Sequence, residues 1–193
     1  MDKLIALDKK VFEWLNKSVG RNVIIDDFWK ITSVYIIYLI PFYLVYLWFA
    51  NPKLREDSLR SAIVGVIGWL AVTRIIAFFW FRERPIADLS LPTKEIVFHR
   101  PTYSFPSDHA LFLFALASGF YFAGHKEIGI GLYVVAIIIS FSRVVVGIHF
   151  PLDVIVGAII GIIIAWLAWQ YRAQLDIILV KPFMAIAKFL KLG

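Results

Sequence analysis

The sequence predicts an all-α protein, a polytopic membrane bundle of five transmembrane helices with an amphipathic interfacial helix at each end. Hydrophobic residues make up 61% of the 193-residue chain, whereas soluble domains are roughly 45–50% apolar. The apolar residues gather into runs near the ~20 residues that a helix needs to cross the hydrocarbon core. Tryptophan and tyrosine fall near the ends of these runs, as they do at membrane interfaces. The length suits a single domain covering residues 1–193.

The first two predicted spans cover residues 31–50 and 61–81. The first is uncharged. Pro41 within it is a candidate for a kink, and buried neighbours would have to satisfy the carbonyl group that the proline frees. The second carries one charge in its interior, Arg74. An arginine within a membrane span is a candidate functional residue by default.

The remaining predicted spans cover residues 110–124, 128–142 and 154–171. The last of them contains Gly157 and Gly161 at the spacing that allows two membrane helices to approach closely. Glycine is also common in membrane helices, so a chance occurrence of this spacing is an equally good interpretation.

The two ends of the chain, residues 1–19 and 174–192, predict amphipathic helices that lie along the membrane surface. In the first, Leu4, Leu7, Val11 and Leu15 recur at helical spacing, and in the second the lysines gather on one polar side. The alternative is a sixth span hidden in one of these ends. Each is short and charged, which favours the interface.

The net charge of +6 and the absence of cysteine limit the possible functions. Without cysteine there are no disulfides, thiolate metal sites or cysteine nucleophiles. The basic residues flank apolar runs and form no tract, which favours membrane anchoring over nucleic-acid binding. Basic residues flank both faces, so they do not fix the orientation in the membrane.

Five spans place the loops after spans two and four on the same face of the membrane. Three polar clusters meet there, Arg-Glu-Arg-Pro at 82–85, Pro-Ser-Asp-His at 106–109 and the segment 142–153. Because the clusters are distant in sequence and rich in arginine and histidine, we expect them to form one site. Several arginines without matching acids suit a phosphate, whose oxygens the guanidinium binds in pairs.

Helix starts add to this interpretation. Ser107 and His109 open a predicted helix, where free N–H groups favour an anion. Pro151 suits the first position of the next helix, which puts Asp153 in its first turn. Its carboxylate can then reach one ring nitrogen of His149 and leave the other free as a nucleophile.

Other interpretations of the same residues stay open at this point. A boundary histidine is often only interfacial, and Arg143 could snorkel to the surface. His109, His149 and Asp153 are plausible metal ligands, although nearby arginines would repel a cation. A small transporter is a further alternative, which the lack of an inverted repeat disfavours.

Three short blocks resemble the signature of a known family. They are Arg84-Pro85, Pro106-Ser107-x-His109 and Ser142-Arg143-x5-His149-x3-Asp153. This pattern, from about residue 77 to 153, is similar to that of the type 2 phosphatidic acid phosphatases, membrane lipid phosphate phosphatases akin to vanadium haloperoxidases. The wording Phe-Pro-Ser-Asp-His and a weakened first block most resemble the undecaprenyl pyrophosphate phosphatases of that family.

The resemblance implies a role for each matched residue. His149 would attack phosphorus and carry a phosphohistidine, Asp153 would orient it, and His109 would protonate the leaving oxygen and then activate water. The residues that would hold the phosphate oxygens are Arg84, Arg143 and Ser107. No metal or other cofactor is implied.

Two positions depart from the family pattern. Where the family usually has a lysine seven residues before the arginine, this chain has Ala77, and either Arg82 or Arg74 could supply the missing charge. The usual glycine is replaced by Asp108, which could cap the helix that begins nearby.

The long segment between Pro85 and Pro106 is a candidate lid. Lys94 and Arg100 within it could touch the second phosphate of a diphosphate, with a solvated loop as the equal alternative. The resemblance implies undecaprenyl diphosphate as substrate in a bacterial inner membrane, with the site on the outer face. Phosphatidylglycerophosphate, phosphatidic acid and lipid A phosphate are the alternative substrates, and the oligomeric state is not predicted.

Overall fold

The computed structural model describes residues 2–98 and 103–192, and all regular secondary structure within these ranges is helical. The helices are α1 (Asp2–Asn16), α2 (Val23–Val34), α3 (Leu39–Ala50), α4 (Arg55–Ile67), α5 (Thr73–Phe79), α6 (Asp108–Phe122), α7 (Lys126–Val145), α8 (Pro151–Gln170), α9 (Arg172–Leu175) and α10 (Lys181–Phe189). The all-α prediction is confirmed for the described residues.

Among the described residues, four helical segments are long and apolar enough to cross a membrane. They are Val23–Ala50, Pro52–Phe79, Lys126–Val145 and Pro151–Gln170. Each overlaps a predicted span, and the last two begin and end within three residues of the predicted bounds. Short helical turns join α2 to α3 and α4 to α5, so each of the first two segments contains more than one helix.

The first span begins at Val23, eight residues before the predicted start at 31. The Asn22 side chain caps it by accepting hydrogen bonds from two backbone N–H groups. The Asp26 carboxylate accepts a hydrogen bond from Gly20 N at 2.9 Å. This bond stabilises a charged side chain that the prediction had placed before the start of the span. The irregular turn lies at Ile36–Tyr38, and Pro41 follows it in the first turn of α3, where its missing N–H costs little.

The second span also begins earlier than predicted, at Pro52 rather than 61. Two of its early charges are paired, because Arg60 donates to Asp57 and, at 2.7 and 2.8 Å, to Asp176 near the C-terminus. A π-helical turn at Gly68–Val72 separates α4 from α5. These ion pairs lie at the end of the bundle opposite α1.

Helix α6 is the centre of the bundle. Leu111, Leu116 and Phe120 are fully buried, and α6 packs against α4, α7 and α8. Its 15 residues make it shorter than a membrane crossing requires. The described residues therefore contain four long spans and one short apolar helix, and the short helix corresponds to the predicted third span at 110–124.

Gly157 and Gly161 allow α8 to approach α6 closely. A Cβ on Gly157 would lie 2.7 Å from Ser107 O, and a Cβ on Gly161 would lie 2.4 Å from Leu111 O. Both contacts are with backbone atoms, which cannot move aside as a flexible side chain can. The close-packing interpretation of this glycine pair is thus confirmed.

The end helices lie at opposite ends of the bundle. Helix α1 packs against the C-terminal end of α7 and the N-terminal end of α8. At the other end, Trp48 Nε1 donates to Leu192 O at 2.7 Å. The exposed side chains of α1 include large apolar ones, among them Leu4 and Leu7, as expected for a helix along the membrane surface.

Candidate active site

The three polar clusters meet on the face of the bundle that α1 covers. Ser104 N donates to Arg82 O at 2.8 Å, and Ser107 N donates to Asp153 O at 2.9 Å. The Arg84 guanidinium donates to Ile148 O at 2.8 Å. These bonds tie the exit of the second span, the start of α6 and the loop before α8 into one cluster.

His149 lies in the loop between α7 and α8 and is 2% exposed. Its Nε2 is 3.5 Å from Arg84 Nη1. Its Nδ1 lies 3.6 Å from an oxygen of Asp153 and 3.4 Å from Ser104 Oγ. The two ring nitrogens therefore face different partners, an acid and a hydroxyl on one side and a guanidinium on the other.

The surroundings of His149 keep its ring neutral. Burial lowers the pKa of His149 from 6.5 to about 4, and the charges of Arg84 and Arg143 add to this effect. The hydrogen bond and charge of Asp153 act in the opposite direction. A neutral ring at pH 7 leaves one nitrogen with a lone pair, which nucleophilic attack requires.

Asp153 is fully buried in the first turn of α8, as the sequence predicts. One carboxylate oxygen accepts from Phe150 N at 2.8 Å and from Ser104 Oγ. The other accepts from Arg82 Nη1 at 2.8 Å. With three donors, the carboxylate has a fixed orientation and a compensated charge.

His109 and Arg143 lie within electrostatic reach of this cluster. The guanidinium charges of Arg143 and Arg84 act on His109. Arg143 Nη1 donates to Ser33 O at 3.0 Å. Its Nε is buried and has no hydrogen-bond partner among the described residues. Five donors in a fixed plane, among them the unused Nε, suit the binding of an oxyanion.

Ser107 is the N-cap residue of α6, and its hydroxyl makes no capping hydrogen bond. The hydroxyl is buried without a partner in the part of the chain that the structure describes. A buried hydroxyl without a partner is costly, and here it lies at a helix N-terminus that favours anions. Asp108 is the first residue of α6 and not its cap, contrary to the expectation from sequence. Its carboxylate lies 3.5 Å from Tyr103 Oη instead.

The remaining predicted residues have partners that the sequence did not indicate. Arg82 is held between two carboxylates, Asp153 and Asp8 of α1. Arg74 is exposed and donates to Leu70 O at 2.6 Å in its own helix. Lys94 Nζ donates to Val19 O at 2.8 Å, so its ammonium is turned towards the turn after α1. Arg100 lies outside the described residues.

Two side chains of this site were missed by the sequence reasoning. Ser104 lies beside both His149 and Asp153, and no spacing rule singles it out. Asp8 could have been found, because Asp8, Phe12 and Asn16 recur every four residues on one side of α1. All three are nearly fully buried, whereas residues on a solvated polar face would be exposed.

An apolar cavity adjoins the cluster between the first two spans and α6. Its volume is about 340 Å³. The residues that line it are Ile37, Tyr38, Pro41, Val66, Trp69, Asp108, His109 and Phe112. His109 and Asp108 form its polar end, and the rest of the lining is almost entirely hydrophobic. Within residues 2–98 and 103–192, no three His, Cys, Asp or Glu side chains converge in a way that could hold a metal ion.

Comparisons with known proteins agree with the predicted family. The family described as “PAP2 superfamily” matches residues 58–176. Undecaprenyl-diphosphatase BcrC of Bacillus subtilis is 27% identical over 92% of this chain and 88% of its own length. The putative undecaprenyl-diphosphatase YbjG of Escherichia coli is 28% identical over 70% of this chain and 69% of its own length.

Solved structures share the fold. LpxE of Aquifex aeolicus has a TM-score of 0.68 and 26% identity, covering 84% of this chain and 94% of its own. A transmembrane PAP2 type phosphatidylglycerolphosphate phosphatase from Bacillus subtilis has a TM-score of 0.66 and 21% identity, covering 90% of this chain and 88% of its own. These likenesses confirm the predicted membrane helix bundle.

Proposed function

The chain belongs to the PAP2 superfamily and is an integral membrane phosphatase, and we propose that it converts undecaprenyl diphosphate to undecaprenyl phosphate through a phosphohistidine. The observation that carries the mechanism is the two-sided environment of His149. One ring nitrogen faces the acid Asp153 at 3.6 Å, and the other faces the guanidinium of Arg84 at 3.5 Å. A phosphate bound by Arg84 would thus lie next to the free nitrogen.

The first chemical step forms a bond between His149 Nε2 and the terminal phosphorus. The bond from that phosphorus to the bridging oxygen breaks, and His109 gives a proton to this leaving oxygen. Asp153 holds the Nδ1 side of the ring and stabilises the charge that develops on it. Arg84, Arg143 and the hydroxyl of Ser107 stabilise the equatorial oxygens, since phosphoryl transfer depends mainly on positioning and charge stabilisation.

The second step regenerates the enzyme. His109, now neutral, takes a proton from a water molecule, and the resulting hydroxide attacks the phosphohistidine. The N–P bond breaks, inorganic phosphate leaves, and His149 is neutral again. Arginines supply the positive charge in this scheme, and we therefore propose that the reaction needs no metal. Full activity in a chelator is the expected result.

The apolar cavity beside His109 supports a lipid substrate. A site whose proton donor lines both the polar cluster and a hydrophobic cavity suits a phosphate attached to a hydrocarbon chain. The relatives named undecaprenyl-diphosphatase, BcrC among them, favour a polyprenyl chain over a diacylglycerol. Lys94 and Arg100 remain the proposed contacts of the second phosphate. Their joint replacement by alanine should then impair diphosphate turnover more than monophosphate turnover.

Phosphate release by the purified protein in detergent with chelator tests the proposal. The lipids offered side by side are undecaprenyl diphosphate, phosphatidylglycerophosphate, phosphatidic acid and lipid A phosphate. His149→Ala should abolish release. His125→Ala is the matched control, because His125 pairs with Asp57 at the opposite end of the bundle and should keep its activity.

The outcomes separate the mechanism from the substrate. Preferred release from another lipid would change the substrate and keep the nucleophile. Equal release by the wild type and His149→Ala would overturn the nucleophile. The intermediate can also be trapped with a labelled phosphate, because a phosphohistidine is stable in base and is lost in acid. A base-stable, acid-labile label should therefore appear on the wild-type protein and be absent from His149→Ala.

We propose further that the protein lies in the plasma membrane with its site on the outer face. Because the chain has no cysteine, single cysteines can report orientation without interference. Ser90 lies in the exposed loop on the site side, and Asn51 lies between the first two spans on the other side. The two variants are Ser90→Cys and Asn51→Cys. Labelling of Ser90→Cys alone by an impermeant maleimide on whole cells is expected. Labelling of Asn51→Cys alone would place the site inside.

A further inference from the structure

Arg82 joins the N-terminal helix to the acid of the site. Its Nη1 donates to Asp153 at 2.8 Å and its Nη2 donates to Asp8 at 2.6 Å. The guanidinium carbon also lies 3.9 Å from the centre of the Phe150 ring. The two carboxylates are 1% and 0% exposed. Buried charges of this kind depend on each other, because removing one partner leaves the other uncompensated.

Asp8 makes a second contact with the site-bearing segment. Its other carboxylate oxygen accepts from Leu152 N at 2.9 Å. This N–H group lies in the first turn of α8, and N–H groups in a first turn have no partner within their own helix. Asp8 therefore contacts both Arg82 and the helix start that carries Asp153.

Two further residues on the same side of α1 hold the loop that contains His149. Phe12 packs edge-on against Phe150, with ring centres 5.3 Å apart. Asn16 donates to Lys94 O at 2.8 Å and to Val145 O at 2.9 Å. Asp8, Phe12 and Asn16 thus bind the segment 145–153 at both of its ends.

From these contacts we propose that Asp8 and Arg82 are positioning residues, which hold Asp153 in the orientation that His149 needs. The inference rests on the proposed phosphatase mechanism. Arg82 does not bind the phosphate in this proposal, because its donors are directed to the two carboxylates. Asp8 acts through Arg82 and through the start of α8.

The test uses Asp8→Asn, Arg82→Gln and the double variant in the full-length protein. Asparagine keeps an oxygen for Leu152 N and loses the charge that holds Arg82. The matched control is Lys9→Gln, which removes the neighbouring ion pair between α1 and Asp88, 2.5 Å long and partly exposed. The measurements are kcat and KM for the lipid phosphate that the wild type hydrolyses, inhibition by inorganic phosphate, and the thermal unfolding midpoint.

We expect each single variant to lower kcat about tenfold, the effect of losing a hydrogen bond to a charged group, with KM and the inhibition constant of phosphate unchanged. The double variant should be no slower than Arg82→Gln, because residues that act as a unit are not additive. Arg84→Gln, in contrast, should weaken inhibition by phosphate. Lys9→Gln should behave as the wild type.

Three results would overturn the proposal. A kcat for Asp8→Asn within twofold of the wild type would remove Asp8 from the mechanism. Weaker inhibition of Arg82→Gln by phosphate, as for Arg84→Gln, would make Arg82 a phosphate ligand. Variants that unfold at lower temperature but turn over at the wild-type rate while folded would make both residues merely structural. An inactive wild type would instead refute the phosphatase proposal itself.

Discussion

The Arg84 guanidinium lies 3.5 Å from Nε2 of His149, the ring nitrogen that faces away from Asp153. A cation so close to an imidazole opposes its protonation. It therefore helps to keep the ring neutral, and a phosphate bound by this guanidinium would lie next to that nitrogen. One residue thus serves the protonation state of the nucleophile and the charge of the substrate.

The first prediction concerns the titration of His149. Its pKa should be about 4, so the ring stays neutral until the pH falls well below the ordinary value of about 6.5. Arg84→Gln should raise this pKa by removing one of the charges that lower it. Titration of the ring carbon signals by NMR measures the value, with His149→Ala used for assignment.

Arg172→Gln is the control for this titration, because Arg172 is exposed at the other end of the bundle. The pKa of His149 should not change in that variant. Since the unfolded chain takes up the proton first, His149 also lowers the free energy of unfolding as the pH falls from 6.5 towards 4. An ordinary pKa in the wild-type protein would contradict the buried position of the ring.

The second prediction concerns Ser104, which hydrogen-bonds Asp153 and lies 3.4 Å from His149 Nδ1. Ser104→Ala should lower kcat about 10- to 100-fold, since a hydrogen bond to a charged group contributes about 1.5–3 kcal/mol. Steady-state phosphate release measures the effect. Ser58→Ala is the control, a buried serine of α4 whose hydroxyl has no partner among the described residues. Equal rates for the two variants would show that Ser104 is dispensable.

The third prediction concerns the glycines of α8. Gly157→Ala and Gly161→Ala should each reduce the free energy of unfolding by about 1–3 kcal/mol, the usual cost of overpacking a core. Gly157→Ala should also reduce activity, because its methyl group would press on the backbone of Ser107. Gly131→Ala is the control, since nothing lies within 4 Å of a Cβ there. Thermal unfolding in detergent compares the three, and similar midpoints would contradict the close packing.

The fourth prediction concerns the cavity beside His109. Val66→Trp should fill part of it and raise KM for a long-chain lipid phosphate about tenfold, which corresponds to the loss of about two buried methylene groups. Turnover of a short-chain, water-soluble phosphate ester should change little. Ile130→Trp, at an exposed position of α7, is the control. An equal rise in KM for both substrates would argue against a lipid chain in the cavity.

Much of the site was predictable because it consists of particular residue types at fixed intervals in the sequence. Pro151 and Asp153 mark the start of α8 by local rules of helix formation, and the structure begins the helix at Pro151. The contact between Asp153 and His149 follows from their separation of four residues. The roles assigned to these residues stay predictions until the variants are measured.

The rest depended on contacts that no local pattern specifies. Arg82 appeared to be one more phosphate ligand, because the sequence does not show that Asp8 of a distant helix lies beside it. The early starts of the first two spans were missed for a related reason. In the second span Arg60 is paired with Asp176, far along the chain, and in the first span Asp26 accepts from Gly20 N, before the helix begins. Neither partner is marked by a local pattern, and an unsatisfied charge would have ended a membrane helix there.

The close contact between α6 and α8 joins Ser107 to the helix that carries the acid of the site. Ser107 N donates to Asp153 O at 2.9 Å, and a Cβ on Gly157 would lie 2.7 Å from Ser107 O. Asp153 and Gly157 are four residues apart, so both contacts lie on one face of α8. The start of α6 and the first two turns of α8 therefore form one rigid unit. Any movement of α8 would carry the anion-binding end of α6 with it.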